Sequence, residues 1–243
     1  MLILLKKIYR KIKRIILGNT QVLKYDFNKS NPLGDNGERV DIQLNAKVSF
    51  RTMDMYQKNH WKRYQFAKTI INTGDICADF ACGTGYGSIL IAENANAVIG
   101  VDLNEKVIKK IKERYSFNNK VIFLNKNLLN LTYKNYFDKI VSFETLEHFN
   151  EPDLKKLLLI FNRALKKKGK LIFSTPYMQE DSAAAISAGF HLTYFINEEK
   201  IINWMQEAGF TIESFQYQNY DTHCIESILQ KKDFLIGVAF KNN

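Results

Sequence analysis

The feature that most constrains this sequence is a cluster of glycines behind a short apolar segment. Residues 77–90 read CADFACGTGYGSIL, with an acid at Asp79 and glycines at positions 83, 85 and 87. Glycines at three alternate positions weaken both helices and strands. They are typical of a turn whose backbone passes close to a ligand. We therefore predict a strand, a ligand-binding turn and a helix over this segment.

Strands and helices alternate along the rest of the chain. The predicted strands are Ile76–Phe80, Ala97–Val101, Val121–Leu124, Lys139–Phe143, Leu171–Ser174, Thr211–Tyr217 and Phe234–Phe240. Helices are predicted from residue 54 onward, and over Ser88–Asn94, Glu105–Tyr115, Asp153–Leu165 and Glu198–Ala208. This order predicts a Rossmann-like α/β fold, with a seven-stranded, mostly parallel sheet, helices on both faces and an antiparallel last strand. Ligands of such sheets bind at the carboxyl ends of the strands, where the glycine turn lies.

The positive charge is concentrated at the N terminus. The 243 residues carry a formal net charge of +10, and residues 1–25 contribute +7 of it with no acid. The remainder is only mildly basic, which argues against a broad nucleic-acid-binding face. Apolar residues three or four apart predict a basic amphipathic helix over residues 1–17. Its interpretation stays open between contact with an anionic membrane surface and packing on its own domain or a second subunit.

We divide the chain into an N-terminal helix (1–25), a linker and lid lead-in (26–55) and a ligand-binding domain (56–243). The linker is assigned from its Asn, Pro, Gly and Ser residues. The three cysteines, Cys77, Cys82 and Cys224, form no C-x-x-C pair and favour a reduced, cytoplasmic setting. The N-terminal segment has neither the long uncharged run of a membrane span nor the order of a signal peptide. Its membrane interpretation would put the protein at the inner membrane face.

The residues of the turn select the class of ligand. The pattern D-x-A-x-G-x-G that starts at Asp79 differs from the dinucleotide fingerprint, and no G-K-[ST] follows for a phosphate loop. An acid in the turn repels a pyrophosphate and suits a cationic group. Asp102 ends the second strand, where a carboxylate can accept both hydroxyls of a ribose. A ribose with a cationic amino-acid end indicates S-adenosylmethionine (SAM).

Three motifs in this order resemble those of the class I SAM-dependent methyltransferases. They are DFACGTGYGS, VIGVDLN and FDKIVSFETLEHF, and the resemblance covers about residues 56–217. Within that family the chain is most similar to ubiquinone-type O-methyltransferases and to sugar methyltransferases of polysaccharide gene clusters. The resemblance implies an enzyme that transfers a methyl group from SAM. A SAM-binding scaffold without catalysis is the alternative from another class.

The resemblance also implies which residues bind SAM. The methionine part would contact Asp79, Ala81, Gly83 and Gly85. Asp102 would hold the ribose, and Leu103 would lie against the adenine. Asn127 and Leu128 would lie near the adenine amino group, where the family usually has an acid. Phe143 and Glu144 would close the methyl end.

The run Glu144-x-x-Glu147-His148 leaves three interpretations open. In ubiquinone-type and small-RNA 2′-O-methyltransferases this pattern binds a divalent metal near the acceptor hydroxyl. The resemblance therefore implies a metal held by Glu144, Glu147 and His148, with His191 able to complete the site. Alternatively, His148 acts as a metal-free base or orienting group. In the third interpretation, Glu147 and His148 only cap and pack the following helix.

Residues 176–196 form a long connection, which we predict to be a lid over the acceptor. Its FHLTYF run resembles one in glycan-associated members, which implies that His191 and Tyr194 face the acceptor. The alternative is that its aromatic residues only fix the loop. His60 is a further candidate for contact with cofactor or acceptor, and His223 is expected at the surface.

The residues after the fourth strand narrow the choice of acceptor. Ser142 to Thr145 match neither the [DNS]-P-P-[YFW] motif of amino-methylating DNA enzymes nor the Pro-Cys nucleophile of cytosine C5 enzymes. We expect a small-molecule or glycan acceptor, and O-methylation of a sugar or glycan-precursor hydroxyl in particular. The alternatives are a quinone or lipid O-methyltransferase at a membrane surface, and an RNA methyltransferase that uses the basic tail. The sequence does not indicate an oligomeric state.

Overall fold

One sheet of eight strands fixes the position of the glycine turn. The computed structural model describes residues 39–44 and 49–242. The strands are β1 Ile76–Phe80, β2 Ala97–Asp102, β3 Val121–Asn125, β4 Phe137–Phe143, β5 Leu165–Pro176, β6 Phe210–Gln218, β7 Ile225–Glu226 and β8 Phe234–Lys241. Their order across the sheet is β3-β2-β1-β4-β5-β8-β6-β7. β1 to β5 are parallel, and β8 is antiparallel to both of its neighbours.

This arrangement confirms the predicted Rossmann-like α/β fold with an antiparallel last strand. It adds one element, because the two-residue strand β7 pairs with Tyr217 and Gln218 of β6. Two residues are too few to show a periodic pattern in the sequence.

Helices cover both faces of the sheet. They are α1 Met55–Ile70, α2 Tyr86–Ala92, α3 Glu105–Arg114, α4 Glu151–Ala164, α5 Ala183–Ala188 and α6 Glu198–Glu207. α1 begins at a capping box, in which the Gln57 N–H donates to Asp54 Oδ1 at 2.8 Å and the Asp54 N–H donates to Gln57 Oε1 at 3.0 Å. One core cluster packs α4 and α6 against the sheet. Two further clusters pack α1, α2 and α3 against the sheet.

Several predicted boundaries differ from the observed ones by a few residues. α2 begins at Tyr86 instead of Ser88, because Gly85 caps it in the left-handed conformation and Gly87 is helical. β5 begins at Leu165, where we had predicted the end of a helix, because Leu165 pairs with Phe137 of β4. The predicted lid loop contains the short helix α5.

The chain reverses direction across the sheet at β1. β2 and β3 lie on one side of β1, and β4 lies on the other side. Asp79 of β1 is level with Gly100 of β2 and Val141 of β4. The carboxyl ends of β1 and β4 therefore border the crevice where ligands of such sheets bind.

The predicted helix over residues 1–17, with the whole segment 1–25, lies outside the described residues. Of the predicted linker 26–55, the structure describes residues 39–44 and 49–55. The first of these stretches packs on the domain, with Ile42 1% exposed and Asp41 paired with Arg114 at 2.7 Å. Among the described helices, none combines the length and the apolar character needed to cross a membrane.

Candidate active site

The turn between β1 and α2 bends the backbone through three residues with positive φ. Ala81, Gly83 and Gly85 have φ angles of 62°, 51° and 76°. In Ala81 this conformation is strained, and such strain is common at functional turns. The nearest atom to a Cβ added at Gly83 would be Arg39 Cγ, at 4.0 Å. The backbone at Gly83 therefore leaves room for a close ligand.

Asp79 lies under this turn and is wholly buried. Its carboxylate accepts hydrogen bonds from Ser88 Oγ at 2.6 Å and from the Tyr64 hydroxyl at 3.1 Å. Burial raises the pKa of Asp79 to about 7, although these two hydrogen bonds oppose the shift. The side chain therefore joins α1, β1 and α2 and carries its charge only near neutral pH and above.

Asp102 ends β2 beside the same turn. Its Oδ2 accepts from the Gly83 N–H at 3.0 Å, and its Oδ1 accepts from the Asn104 N–H at 2.9 Å. The guanidinium of Arg39 also reaches Oδ1, at 3.2 Å. A ligand that uses this carboxylate must share it with Arg39 or displace Arg39.

The residues predicted for the adenine follow β2 and β3. Leu103 is 68% exposed, so its side chain is accessible to a ligand at the end of β2. The side-chain oxygen of Asn127 accepts from the Leu129 N–H at 2.9 Å and caps a short 3-10 turn over Leu128–Asn130. A carbonyl oxygen can accept a second hydrogen bond. Leu128 is buried and belongs to the core.

Phe143 and Glu144 lie at the carboxyl end of β4. The Phe143 ring is buried and meets the Tyr64 ring edge-on, with 5.0 Å between centroids. Glu144 has a φ of 48°, and its N–H donates to Ser174 O at 3.0 Å. This left-handed backbone turns the Glu144 side chain toward α1, where Arg63 lies.

Glu144 forms an ion pair with Arg63 and a contact with His60. Arg63 has no solvent-exposed surface, and its guanidinium lies 4.6 Å from the Phe234 ring centroid. His60 Nε2 is 3.1 Å from Glu144 Oε1, and His60 Nδ1 is 3.0 Å from the Tyr86 hydroxyl. Burial alone would raise the pKa of Glu144, but the charge of Arg63 and a hydrogen bond from His60 hold it well below its usual range. Glu144 is therefore ionised at any ordinary pH.

Glu147 lies in different surroundings, although it follows Glu144 by only three residues. It is 1% exposed, and neither carboxylate oxygen has a hydrogen-bond partner among the described residues. Burial, and then the negative charge of Glu144, raise the pKa of Glu147 to about 8. A ligand atom from each of Glu147, His148 and His191 lies within 4.8 Å of the others, which is the spacing of a metal-ligand set.

Each of the two histidines is oriented by a hydrogen bond at Nδ1. His148 Nδ1 is 2.7 Å from the Phe190 carbonyl, and His191 Nδ1 is 2.5 Å from Gln179 Oε1. Because both partners are acceptors, we assign the proton to Nδ1 and the lone pair to Nε2 in each ring. This outer support is typical of histidines that bind metals.

The predicted lid is attached to the turn that carries Glu147. The N–H groups of Leu192 and Thr193 donate to Glu147 O at 2.8 and 3.2 Å. The Tyr194 hydroxyl donates to the backbone oxygen of His191 at 3.0 Å. Tyr194 therefore fixes the conformation of the lid, whereas His191 borders the cleft described next.

A cleft of about 570 Å³ opens beside the carboxyl end of β4. It is lined by Val40, Met55, Tyr56, His60, Glu144, Pro176, Tyr177, Gln179, His191, Tyr220, Lys232, Asp233 and Phe234. The lining therefore combines aromatic rings with charged and amide groups. Of the predicted catalytic residues, Glu144 and His191 line this cleft, whereas His148 and Tyr194 do not.

The structure separates the remaining candidates. His223 packs edge-on against the Phe50 ring at 6.0 Å and does not line the cleft. Sequence reasoning gave no role to Arg63, Tyr86 or Arg39. Tyr86 lies within the glycine motif, and this position is the sequence feature that could have marked it as a site residue. Arg63 and Arg39 reach their partners only through the fold, and no local pattern marks them.

Comparisons with known proteins find similarity to methyltransferases. Residues 77–169 match a family model described as a methyltransferase domain. A demethylmenaquinone methyltransferase of Lactobacillus johnsonii is 27% identical over 209 residues, which cover 82% of this chain and 80% of that protein. A probable SAM-dependent methyltransferase of Mycolicibacterium smegmatis is 30% identical over 140 residues, or 54% of this chain. The match spans only 50% of the length of that second relative.

Solved structures share the fold at low identity. The N-methyltransferase NodS of Bradyrhizobium japonicum, crystallised with S-adenosylhomocysteine (SAH), superposes with a TM-score of 0.61. It is 14% identical, and the superposition covers 79% of this chain and 90% of NodS. At this identity the likeness shows the fold alone.

Proposed function

We propose that this chain, which belongs to the class I SAM-dependent methyltransferases, methylates a hydroxyl group of a sugar or glycan precursor. The observation that carries the choice of acceptor is the mixed lining of the cleft. Gln179, Lys232 and Asp233 place polar and charged groups along its wall. A polyhydroxylated ring needs several such partners, because each buried hydroxyl left without one is costly.

The residues around the glycine turn fit SAM. The room at Gly83, the carboxylate of Asp102 and the exposed Leu103 suit a methionine part, a ribose and an adenine in that order. When bound, SAM supplies an electrophilic methyl group on a sulfonium. The protein has to hold the acceptor oxygen in line with that methyl group and to provide for its proton.

The aromatic residues of the cleft support the same acceptor class. Tyr56, Tyr177 and Phe234 offer flat faces against which the C–H groups of a sugar ring can pack. Lys232 lies over the Tyr217 ring, with Nζ 3.7 Å from its centroid, and borders the same cleft. A cation at this position suits a phosphorylated or nucleotide-linked sugar.

A second candidate acceptor is a quinone. It is favoured by the relative of 27% identity, whose name is demethylmenaquinone methyltransferase. The amphipathic helix predicted for residues 1–17 suits a substrate dissolved in a membrane. Against this acceptor stands the charge along the cleft, since a quinone ring presents few hydrogen-bonding groups.

A divalent metal forms part of the proposal, with ligands that differ from those implied by the resemblance. Glu144 is committed to Arg63 and His60, so Glu147, His148 and His191 are the residues that would hold the ion. The buried Glu147 carboxylate, which has no hydrogen-bond partner among residues 39–44 and 49–242, fits a cation. Two imidazoles and one carboxylate favour Zn²⁺ or Mn²⁺ over Mg²⁺. Such an ion would act as a Lewis acid on an acceptor oxygen.

The acceptor is tested by SAH release from SAM. The panel contains nucleotide-sugars, phosphosugars, demethylmenaquinone in detergent, catechol-like quinone precursors and total RNA, each with EDTA or with added metal. We expect turnover with a sugar. Turnover only with a quinone would replace the proposed acceptor by the second candidate, and turnover only with RNA would contradict both.

The metal is tested without turnover. Calorimetric titration of the EDTA-treated protein with Mn²⁺ or Zn²⁺ should give one site, which His191→Ala weakens at least tenfold. His223→Ala is the matched control, because this histidine lies away from the cleft and should leave metal binding unchanged. Equal binding by both variants would contradict the assignment.

A further inference from the structure

We propose that His60 takes the proton from the acceptor hydroxyl and that Glu144 is the carboxylate that orients it. The inference rests on the proposed transfer to a hydroxyl, and it names a catalytic residue outside the family motifs. His60 lies on α1 and lines the cleft beside Glu144. Its ring is fixed on two sides, by Glu144 at Nε2 and by the Tyr86 hydroxyl at Nδ1.

The ion pair with Arg63 determines which nitrogen of His60 carries the proton. Because Arg63 keeps Glu144 ionised, the carboxylate can only accept a hydrogen bond. The proton of the neutral imidazole therefore lies on Nε2, and Nδ1 carries the lone pair that accepts the Tyr86 hydroxyl. An acceptor hydroxyl that takes the place of the Tyr86 hydroxyl would meet that lone pair.

The charged and titratable groups around His60 come from three elements. Glu144 follows β4, Arg63 and Asp54 belong to α1 and its cap, and Tyr86 begins α2. Burial and, to a lesser extent, the charge of Arg63 lower the pKa of His60, whereas the carboxylates of Glu144 and Asp54 raise it. The lowering effects are larger, so the pKa lies below its ordinary value of 6.5. The imidazole is therefore neutral at pH 7, as a base must be.

The other two candidate histidines are less suited to this step. His148 does not line the cleft, and its Nδ1 is bonded to a backbone carbonyl. His191 lines the cleft, but a neutral amide, Gln179, orients it. His60 has the ionised carboxylate of Glu144 on its far nitrogen, which stabilises the imidazolium once the proton has arrived.

The step balances in atoms and charge. The acceptor oxygen forms a bond to the methyl carbon while the bond from that carbon to sulfur breaks, and the electron pair stays on sulfur. The hydroxyl proton passes to His60 Nδ1. The positive charge thus moves from the sulfonium to the imidazolium beside Glu144, and the proton later leaves to solvent.

His60→Asn tests the proposal with the acceptor identified by the SAH panel. Asparagine can still donate to Glu144 but cannot take a proton. We expect kcat to fall at least 100-fold, in the usual range for general bases. The acceptor KM and the SAH dissociation constant should stay within threefold, and the acidic limb of the pH–rate profile should disappear. His60→Gln is measured in parallel in case one variant folds poorly, and His223→Asn is the matched control.

A kcat within threefold of the wild type in a folded His60 variant would overturn the proposal. A second measurement needs no acceptor: ¹⁵N imidazole shifts of the SAH-bound protein should show His60 neutral at pH 7 with the proton on Nε2. A His60 that is doubly protonated at pH 7, or protonated on Nδ1, would equally overturn it. If the panel finds no methylated hydroxyl, the proposed function fails, whereas the imidazole shifts still decide the protonation of His60.

Discussion

Gly87 is required by the neighbouring side chain of Tyr64, and its replacement gives the sharpest test of the site's geometry. A Cβ built on Gly87 would lie 2.0 Å from Cζ and 2.2 Å from Cε1 of the Tyr64 ring. Real contacts of this kind are never so short, so the ring would have to move. Tyr64 is only 5% exposed, and it packs edge-on against Tyr86 and Phe143.

The expected magnitude combines three effects of Gly87→Ala. Overpacking a core costs about 1–3 kcal/mol. Displacing the ring also breaks the bond from the Tyr64 hydroxyl to buried Asp79, at about 1–3 kcal/mol. Alanine in a helix regains roughly 0.5–1 kcal/mol relative to glycine. We expect a net loss of about 1–5 kcal/mol in the free energy of unfolding.

A double-mutant cycle in urea separates the clash from the helix effect. In a Tyr64→Ala background the ring is absent, so Gly87→Ala should become neutral or stabilise by roughly 0.5–1 kcal/mol. In a Tyr64→Phe background the ring remains, so the penalty should persist. A Gly87→Ala protein that is more stable than the wild type would refute the placement of Tyr64 against α2.

Three further predictions concern charge. Asp102→Asn should weaken SAH binding by about 1–3 kcal/mol through the lost charge-assisted hydrogen bonds, and unchanged calorimetric affinity would contradict the ribose assignment. The pKa of Asp79 is about 7 in the folded protein, above its ordinary 3.8. The folded state therefore holds this proton more tightly than the unfolded chain, and the free energy of unfolding falls as pH rises from about 4 to 7. Asp79→Asn should remove up to about 1.4 kcal/mol per pH unit of that slope, and parallel urea-stability curves would disprove it. Deleting residues 1–25, which carry +7, should abolish salt-sensitive sedimentation with anionic vesicles while SAH affinity stays the same; equal sedimentation would exclude the membrane role.

The fold was predictable from the sequence because its signals are local. Alternating apolar strands and amphipathic helices can be recognised within windows of about ten residues, and so can the turn that follows Asp79. The start of α2 was not predictable in the same way. A glycine normally weakens a helix, and the reason that Gly87 lies inside one is Tyr64, 23 positions earlier in the chain. A contact between residues so far apart in the chain produces no periodic pattern in the sequence.

The candidate site was predictable in part, for the same reason. The residues of the glycine turn and Asp102 follow their strands directly, and the fold brings them together. The partners on the acceptor side come from distant segments. Arg63 reaches Glu144 from α1, and His191 reaches Glu147 from the lid. The spacing E-x-x-E-H suggested that Glu144 and Glu147 serve one ion, but the left-handed backbone at Glu144 and a 3-10 turn over 146–148 direct them apart.

That separation gives two chemically identical side chains opposite properties. Arg63 keeps Glu144 ionised, whereas burial and then the charge of Glu144 raise the pKa of Glu147 to about 8. Environments that push the pKa values of two neighbouring acids apart are how proteins assign them different tasks. Glu144 cannot take a proton and is suited to orient a base. Glu147 is neutral near pH 7 unless a cation replaces its proton. The acceptor side therefore combines a permanently ionised carboxylate beside His60 with a second carboxyl group near His191 whose charge depends on what binds there.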